Sequence, residues 1–169
     1  MDGVKITPLK CIRNPKGDVY RILKAVDLEF DRFGEAYFST IGRNRIKGWK
    51  KHEQMVLNIA VPVGEIKFVI YNENSQDFFS ISLSKNNYKR LTISPGLWIA
   101  FKGMQENNML VNIANIEHDP NESENVDLNT IDYEWKEKNI DSWRYWIYWF
   151  ECNKRSNKQR LFRNRAVEK

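Results

Sequence analysis

The sequence predicts an all-β sandwich with a C-terminal aromatic and basic helical extension. Between residues 5 and 115, short alternating or apolar runs rich in β-branched and aromatic residues are separated by turn signals, the pattern of a sandwich or barrel. No helix-period segment falls between these runs, which excludes a parallel sheet built on crossover helices. After Trp135 the pattern gives way to an aromatic stripe and then a basic end.

Strands are expected at 5–12, 19–25, 36–41, 45–51, 55–61, 65–71, 78–83, 88–93, 97–101 and 109–115. Turns are written in Asn14-Pro15-Lys16-Gly17, Val63-Gly64, the polar cluster 72–77, Lys85-Asn86-Asn87 and Pro95-Gly96, residue types that preset or tolerate turn dihedrals. In 79–84, Phe79, Ile81 and Leu83 alternate with serines, the mark of a half-buried strand. Residues 117–130 are polar and acidic and read as a surface loop. The sandwich is assigned to 1–135 and the extension to 136–169. Within the extension Trp143, Trp146, Ile147 and Phe150 share one helix face. Trp143, Tyr145, Ile147 and Trp149 would equally suit a strand, so periodicity leaves both open.

Aromatic residues make up 13% of the 169 residues, enough that they must be placed in a core, an interface or a ligand pocket. The net charge of +5 is unevenly placed: residues 151–169 hold seven of the 27 basic and two of the 22 acidic residues, leaving 1–150 balanced. A neutral domain argues against a nucleic-acid partner. The tail has three readings, a membrane-surface helix, a nucleic-acid contact, or a stripe packed on the sandwich or a second copy with a solvated basic end; the last is preferred. No run approaches the roughly 20 apolar residues of a membrane span, and MDGVKITPLK lacks a signal-type apolar region. Cys11 and Cys152 read as free thiols of a reducing, cytoplasmic protein. With only His52 and His118 in the chain, a metal site of several imidazoles and a carboxylate is not expected. Neither a Ser-His-Asp or Cys-His nucleophile motif nor a glycine-rich phosphate loop is present.

One ordered set of phrases carries more. Lys16-Gly17-Asp18 is followed by FGEAYFST at 33–40 and by Ile46-Lys47-Gly48-Trp49-Lys50-Lys51-His52. Then come Val63-Gly64-Glu65-Ile66, Leu83-Ser84-Lys85-Asn86-Asn87, LTISPG at 91–96 and Asp119-Pro120-Asn121-Glu122-Ser123-Glu124. In this order, over about 14–135, they resemble the dTDP-4-dehydrorhamnose 3,5-epimerase family of cupins. The resemblance implies a cupin-type jelly-roll β-sandwich, a homodimer, and chemistry needing no metal or organic cofactor. That chemistry is proton removal beside the 4-keto group of a nucleotide-linked sugar and reprotonation on the other face, in deoxysugar or surface-polysaccharide biosynthesis.

Carried onto this chain, the family's arginine falls on Lys47, which keeps charge but loses the bidentate fork. Its catalytic histidine falls on Lys50, its proton-donating tyrosine near Glu117, and a further pocket histidine on Ile99. The carboxylate partner of the base falls around Asp127 or Asn129. The expected catalytic residues are therefore Lys50, His52 and Glu117, with Lys47, Trp49, Trp98 and His118 as substrate-binding residues. Lys50 could be a base with its pKa lowered by Lys47 and Lys51. His52 could take that role instead, being two residues along a strand and so on the same face. Trp98 and Phe101 could stack on a base or sugar ring, or belong to the core. An epimerase or isomerase stands beside an alternative, a non-catalytic cupin that binds a sugar nucleotide or a partner enzyme.

Overall fold

The computed structural model describes residues 1–135. In chain order the strands are β1 (Val4–Pro8), β2 (Cys11–Ile12), β3 (Val19–Tyr20), β4 (Glu35–Gly42), β5 (Ile46–His52), β6 (Leu57–Val63), β7 (Glu65–Asn72), β8 (Asp77–Ser84), β9 (Lys89–Ile93), β10 (Trp98–Gly103), β11 (Asn107–Ala114) and β12 (Ser123–Asn125). Short 3-10 turns lie at Pro120–Glu122 and Leu128–Thr130. One antiparallel sheet has the order β1-β9-β6-β11-β4 and faces a second with the order β12-β5-β10-β7-β8. From β4 to β12 the chain passes back and forth between the sheets, except at the β7–β8 hairpin. This is the jelly roll that the strand pattern and the resemblance imply.

The core lies where the inner faces meet. Ile66, Phe68 and Ile70 alternate inward along β7 and are fully buried, each such side chain adding about 1.5–3 kcal/mol by leaving water. β6 is central in its sheet, and Leu57, Asn58, Ile59, Ala60 and Val61 are all buried. The polar member of that run is satisfied: Thr92 Oγ1 donates to Asn58 Oδ1 at 2.9 Å.

Three expectations needed correction, the first being the surface loop at 117–130, which holds β12 and the buried Glu122. The run at 5–12 breaks after Pro8, and Cys11–Ile12 pairs with β3 instead. The run at 19–25 is strand only at Val19–Tyr20, because the buried Arg90 guanidinium holds the chain beyond Tyr20 as a loop. It donates to Ile22 O at 2.8 Å and Asp27 Oδ2 at 3.0 Å, and it pairs with Glu29. The sandwich unit spans Met1–Asp132. In a second unit, the Tyr133 and Trp135 rings meet edge to face at 5.1 Å. The helix expected within 136–169 lies outside the described residues. Among the described residues no helix is long and apolar enough to cross a membrane.

Candidate functional site

Lys47 and Lys50 are three residues apart, and plain alternation would send them to opposite faces of β5. Pairing with β10 prevents this. Lys50 opposes Ile99 but Lys47 opposes Phe101, so three steps along β5 match two along β10. The bulge resets the alternation, and Lys47, Lys50 and His52 all border the same interior cavity. Gly48 makes the bulge possible. It sits at φ +131°, and a Cβ there would lie 2.5 Å from the Ala100 Cβ, so only glycine fits.

The cavity has a volume of about 300 Å³ between the two sheets. Leu57, Ile59, Ile99, Phe101 and Leu110 give it apolar walls, while Tyr37, Ser39 and Asn112 face it from the opposite sheet. Lys47 Nζ reaches across to Ser39 Oγ at 3.1 Å and Thr40 O at 2.9 Å. Lys50 has no ion pair among the described residues, leaving its charge for whatever enters.

His52 is buried, and its Nδ1 hydrogen-bonds the Glu122 carboxylate. The other Glu122 oxygen accepts from Gln54 N at 3.2 Å and Met55 N at 3.3 Å. Burial alone would raise the Glu122 carboxyl. The hydrogen bond to His52 and then the Gln54 N–H reverse the sign and hold it below its ordinary 4.5. An ionised carboxylate on Nδ1 fixes the imidazole with its proton there, leaving Nε2 as the acceptor. The arrangement is an imidazole oriented by a buried carboxylate, the form a general base takes. β12 delivers the carboxylate: Ser123 pairs with His52 and Asn125 with Lys50, and Pro120–Glu122 leads directly into that strand.

A scan of protein-family models and a search of curated proteins return no match. Among solved structures, a dTDP sugar isomerase from Desulfovibrio desulfuricans G20 is 31% identical, with a TM-score of 0.75, over 79% of this chain and 91% of that one. The chain belongs to the dTDP-4-dehydrorhamnose 3,5-epimerase family. Two more distant structures share the fold. One is a dTDP-6-deoxy-D-glucose-3,5-epimerase from Legionella pneumophila Philadelphia 1 in complex with dTDP-4-keto-L-rhamnose (18% identity, TM-score 0.71, 80% of this chain and 79% of that one). The other is a sugar 3,4-ketoisomerase from Thermoanaerobacterium thermosaccharolyticum in complex with TDP-4-keto-6-deoxyglucose (19%, 0.65, 73% and 88%).

Within this family framework, the structure brings together Lys47, Lys50, His52 and the edge of Trp49 at the cavity. Trp49 is a wall rather than a stacking platform. It is fully buried, and its indole N–H donates to Leu128 O at 3.3 Å. Trp98 is not at the cavity. It pairs in register with Lys51 and Tyr71 on the outer face, donates to Glu73 Oε2 at 3.1 Å and lies 4.9 Å beneath Lys51 Nζ. Burial opposes the Lys51 charge, but hydrogen bonds to Glu124 and Glu73 push its ammonium up to about 12. Glu117 and His118 are also not at the cavity. β11 ends at Ala114, Asn115 is anchored to Val56 N and Asp31, and the next turn carries Glu117 and His118 into solvent.

Asp127 and Asn129, where a carboxylate partner was expected, are both exposed, and the carboxylate that bonds His52 is Glu122. Tyr37 and Asn112 are further cavity residues that the sequence did not single out. Inward alternation of Tyr37, Ser39 and Ile41 along β4 was the available signal for the first. Among the described residues no three His, Cys, Asp or Glu side chains gather as a metal would need.

Proposed function

We propose that this protein is a cofactor-independent epimerase or isomerase of a dTDP-4-keto-6-deoxyhexose. It would act in the cytoplasm in deoxysugar or surface-polysaccharide biosynthesis. The observation that carries the reading is the His52–Glu122 pair on the wall of a cavity that also holds Lys50 and Lys47. The 31% identical dTDP sugar isomerase supports the substrate class.

In this mechanism His52 Nε2 takes the proton from a carbon beside the keto group. The C–H electron pair becomes the C=C bond of an enolate, and the carbonyl π pair moves onto oxygen. Glu122 stabilises the imidazolium so formed. Lys50 and Lys47 stabilise the enolate oxygen or the diphosphate, interactions worth most in a cavity walled by apolar side chains. His52 is the better base of the two candidates, since it has an orienting carboxylate and Lys50 has none. A homodimer fits β4, an edge strand whose Phe38 is 67% exposed and whose unpaired edge would be covered by a second copy. Sedimentation would measure that state.

The test is incubation with dTDP-4-keto-6-deoxyglucose in D2O, following deuterium at carbons 3 and 5 by NMR. Wild-type protein should exchange, and His52→Asn should lower the rate about 10²–10⁴-fold. Exchange that survives in His52→Asn and vanishes in Lys50→Met would move the base to Lys50. Nucleotide-dependent thermal stabilisation without exchange, where a known epimerase works, would instead favour the non-catalytic cupin.

A further inference from the structure

An enolate formed by His52 needs a proton returned to carbon, and the residues expected to supply one from 115–118 do not reach the cavity. The opposite wall offers a candidate. Tyr37 lies on β4, in the sheet facing β5, and shares the inward side of that strand with Ser39. Because Lys47 of β5 bonds both Ser39 Oγ and Thr40 O, the two walls are one side chain apart here.

Asn112 sits directly across the β4–β11 ladder from Tyr37 and is fully buried. Its Oδ1 is committed, accepting from Asn58 N at 2.9 Å. Its Nδ2 is a buried donor without a well-formed hydrogen bond, although it lies close enough to act on the Tyr37 phenol. A buried amide N–H left in this way carries a cost that pairing removes. An amide nitrogen can only donate, so the Tyr37 oxygen would accept from it and keep its own O–H for the cavity.

We infer that Tyr37 is the proton donor on the wall opposite His52, with Asn112 as the residue that positions its hydroxyl. The assignment rests on the proposed epimerase or isomerase reading. In the step, the Tyr37 O–H proton passes to the carbon while the enolate oxygen's electron pair re-forms C=O. The phenolate left behind is reprotonated from solvent, and imidazolium His52 returns its proton to solvent. Burial raises the Tyr37 phenol above its ordinary value, an effect that Asn112 opposes, so the group is protonated at neutral pH. The charged or titratable groups near it are Lys47, Lys50 and His52 from β5 and Glu35 from its own strand. The residues presented by β6, β10 and β11 are uncharged.

The experiment separates abstraction from inversion. In D2O with dTDP-4-keto-6-deoxyglucose, Tyr37→Phe should still wash deuterium into the substrate with retention, because His52 can return what it removes. Inverted product should fall about 10²-fold or more. Asn112→Asp keeps the acceptor for Asn58 N and removes the donor, so the alkaline limb of the inversion rate should move to higher pH. A purely structural Asn112 would lower the melting temperature without moving that limb. Inverted product from Tyr37→Phe at the wild-type rate overturns the assignment, and so does equal loss of exchange and inversion in a folded variant. Absence of any exchange by the wild type overturns the functional reading itself, and this assignment with it.

Discussion

At the scale of single residues the decisive group is Glu122, a buried carboxylate whose charge serves three partners at once. It holds the His52 ring by Nδ1 and accepts the N–H groups of Gln54 and Met55. Glu122→Gln keeps the shape and one acceptor but loses the charge that stabilises an imidazolium. Turnover should fall at least tenfold, and stability by about 1–3 kcal/mol, the cost of disrupting buried hydrogen bonds. Both are measurable, by exchange rate and by chemical denaturation. The depressed carboxyl sets the sign of the pH dependence. Its contribution is complete above the ordinary glutamate value of 4.5 and is lost as pH falls through the lower folded value. Acid unfolding of the variant should therefore show a shallower slope than wild type below that pH.

At the scale of elements, β5 is the strand that defines the site, and its bulge depends on one residue. Gly48→Ala combines a φ of +131° with a Cβ 2.5 Å from the Ala100 Cβ. Strain and overpacking together should cost about 3 kcal/mol or more, read as a lowered melting temperature. Lys47 should then leave the cavity side even in whatever fraction folds. The same strand shows what sequence can and cannot reveal. Strands β4 to β11 were legible because alternation and turn residues survive in the letters, and Lys50 with His52 emerged from a spacing of two. β12 was not legible: three residues carry no period, and an acidic stretch reads as loop whether or not it hydrogen-bonds to a neighbour. Glu122 was hidden for that reason. Trp98 was left open between ligand and core because an apolar run such as Leu97–Phe101 does not reveal which face borders the cavity until the register with Lys51 and Tyr71 is known.

At the scale of the molecule, the loop between β3 and β4 is tied to the sandwich by a buried cation. Arg90 ties down a loop whose Val26 and Leu28 are 82% and 93% exposed, so apolar burial does little there. The hydrogen bond from Arg90, then the Lys24 N–H, keep Asp27 below its ordinary value. Arg90→Met should cost about 1–3 kcal/mol, less than an isolated buried pair, because Lys5 and Lys24 remain to face Glu29 and Asp27. Hydrogen exchange in 21–30 should quicken while the His52–Glu122 pair stays intact. That pair spans 70 residues of sequence, and this sets an order of events during synthesis. β1 to β11 can emerge and begin to pack while His52 still lacks its carboxylate. Under the proposed mechanism the nascent protein is then a shaped but chemically idle vessel, armed when the short strap carrying Glu122 docks on β5.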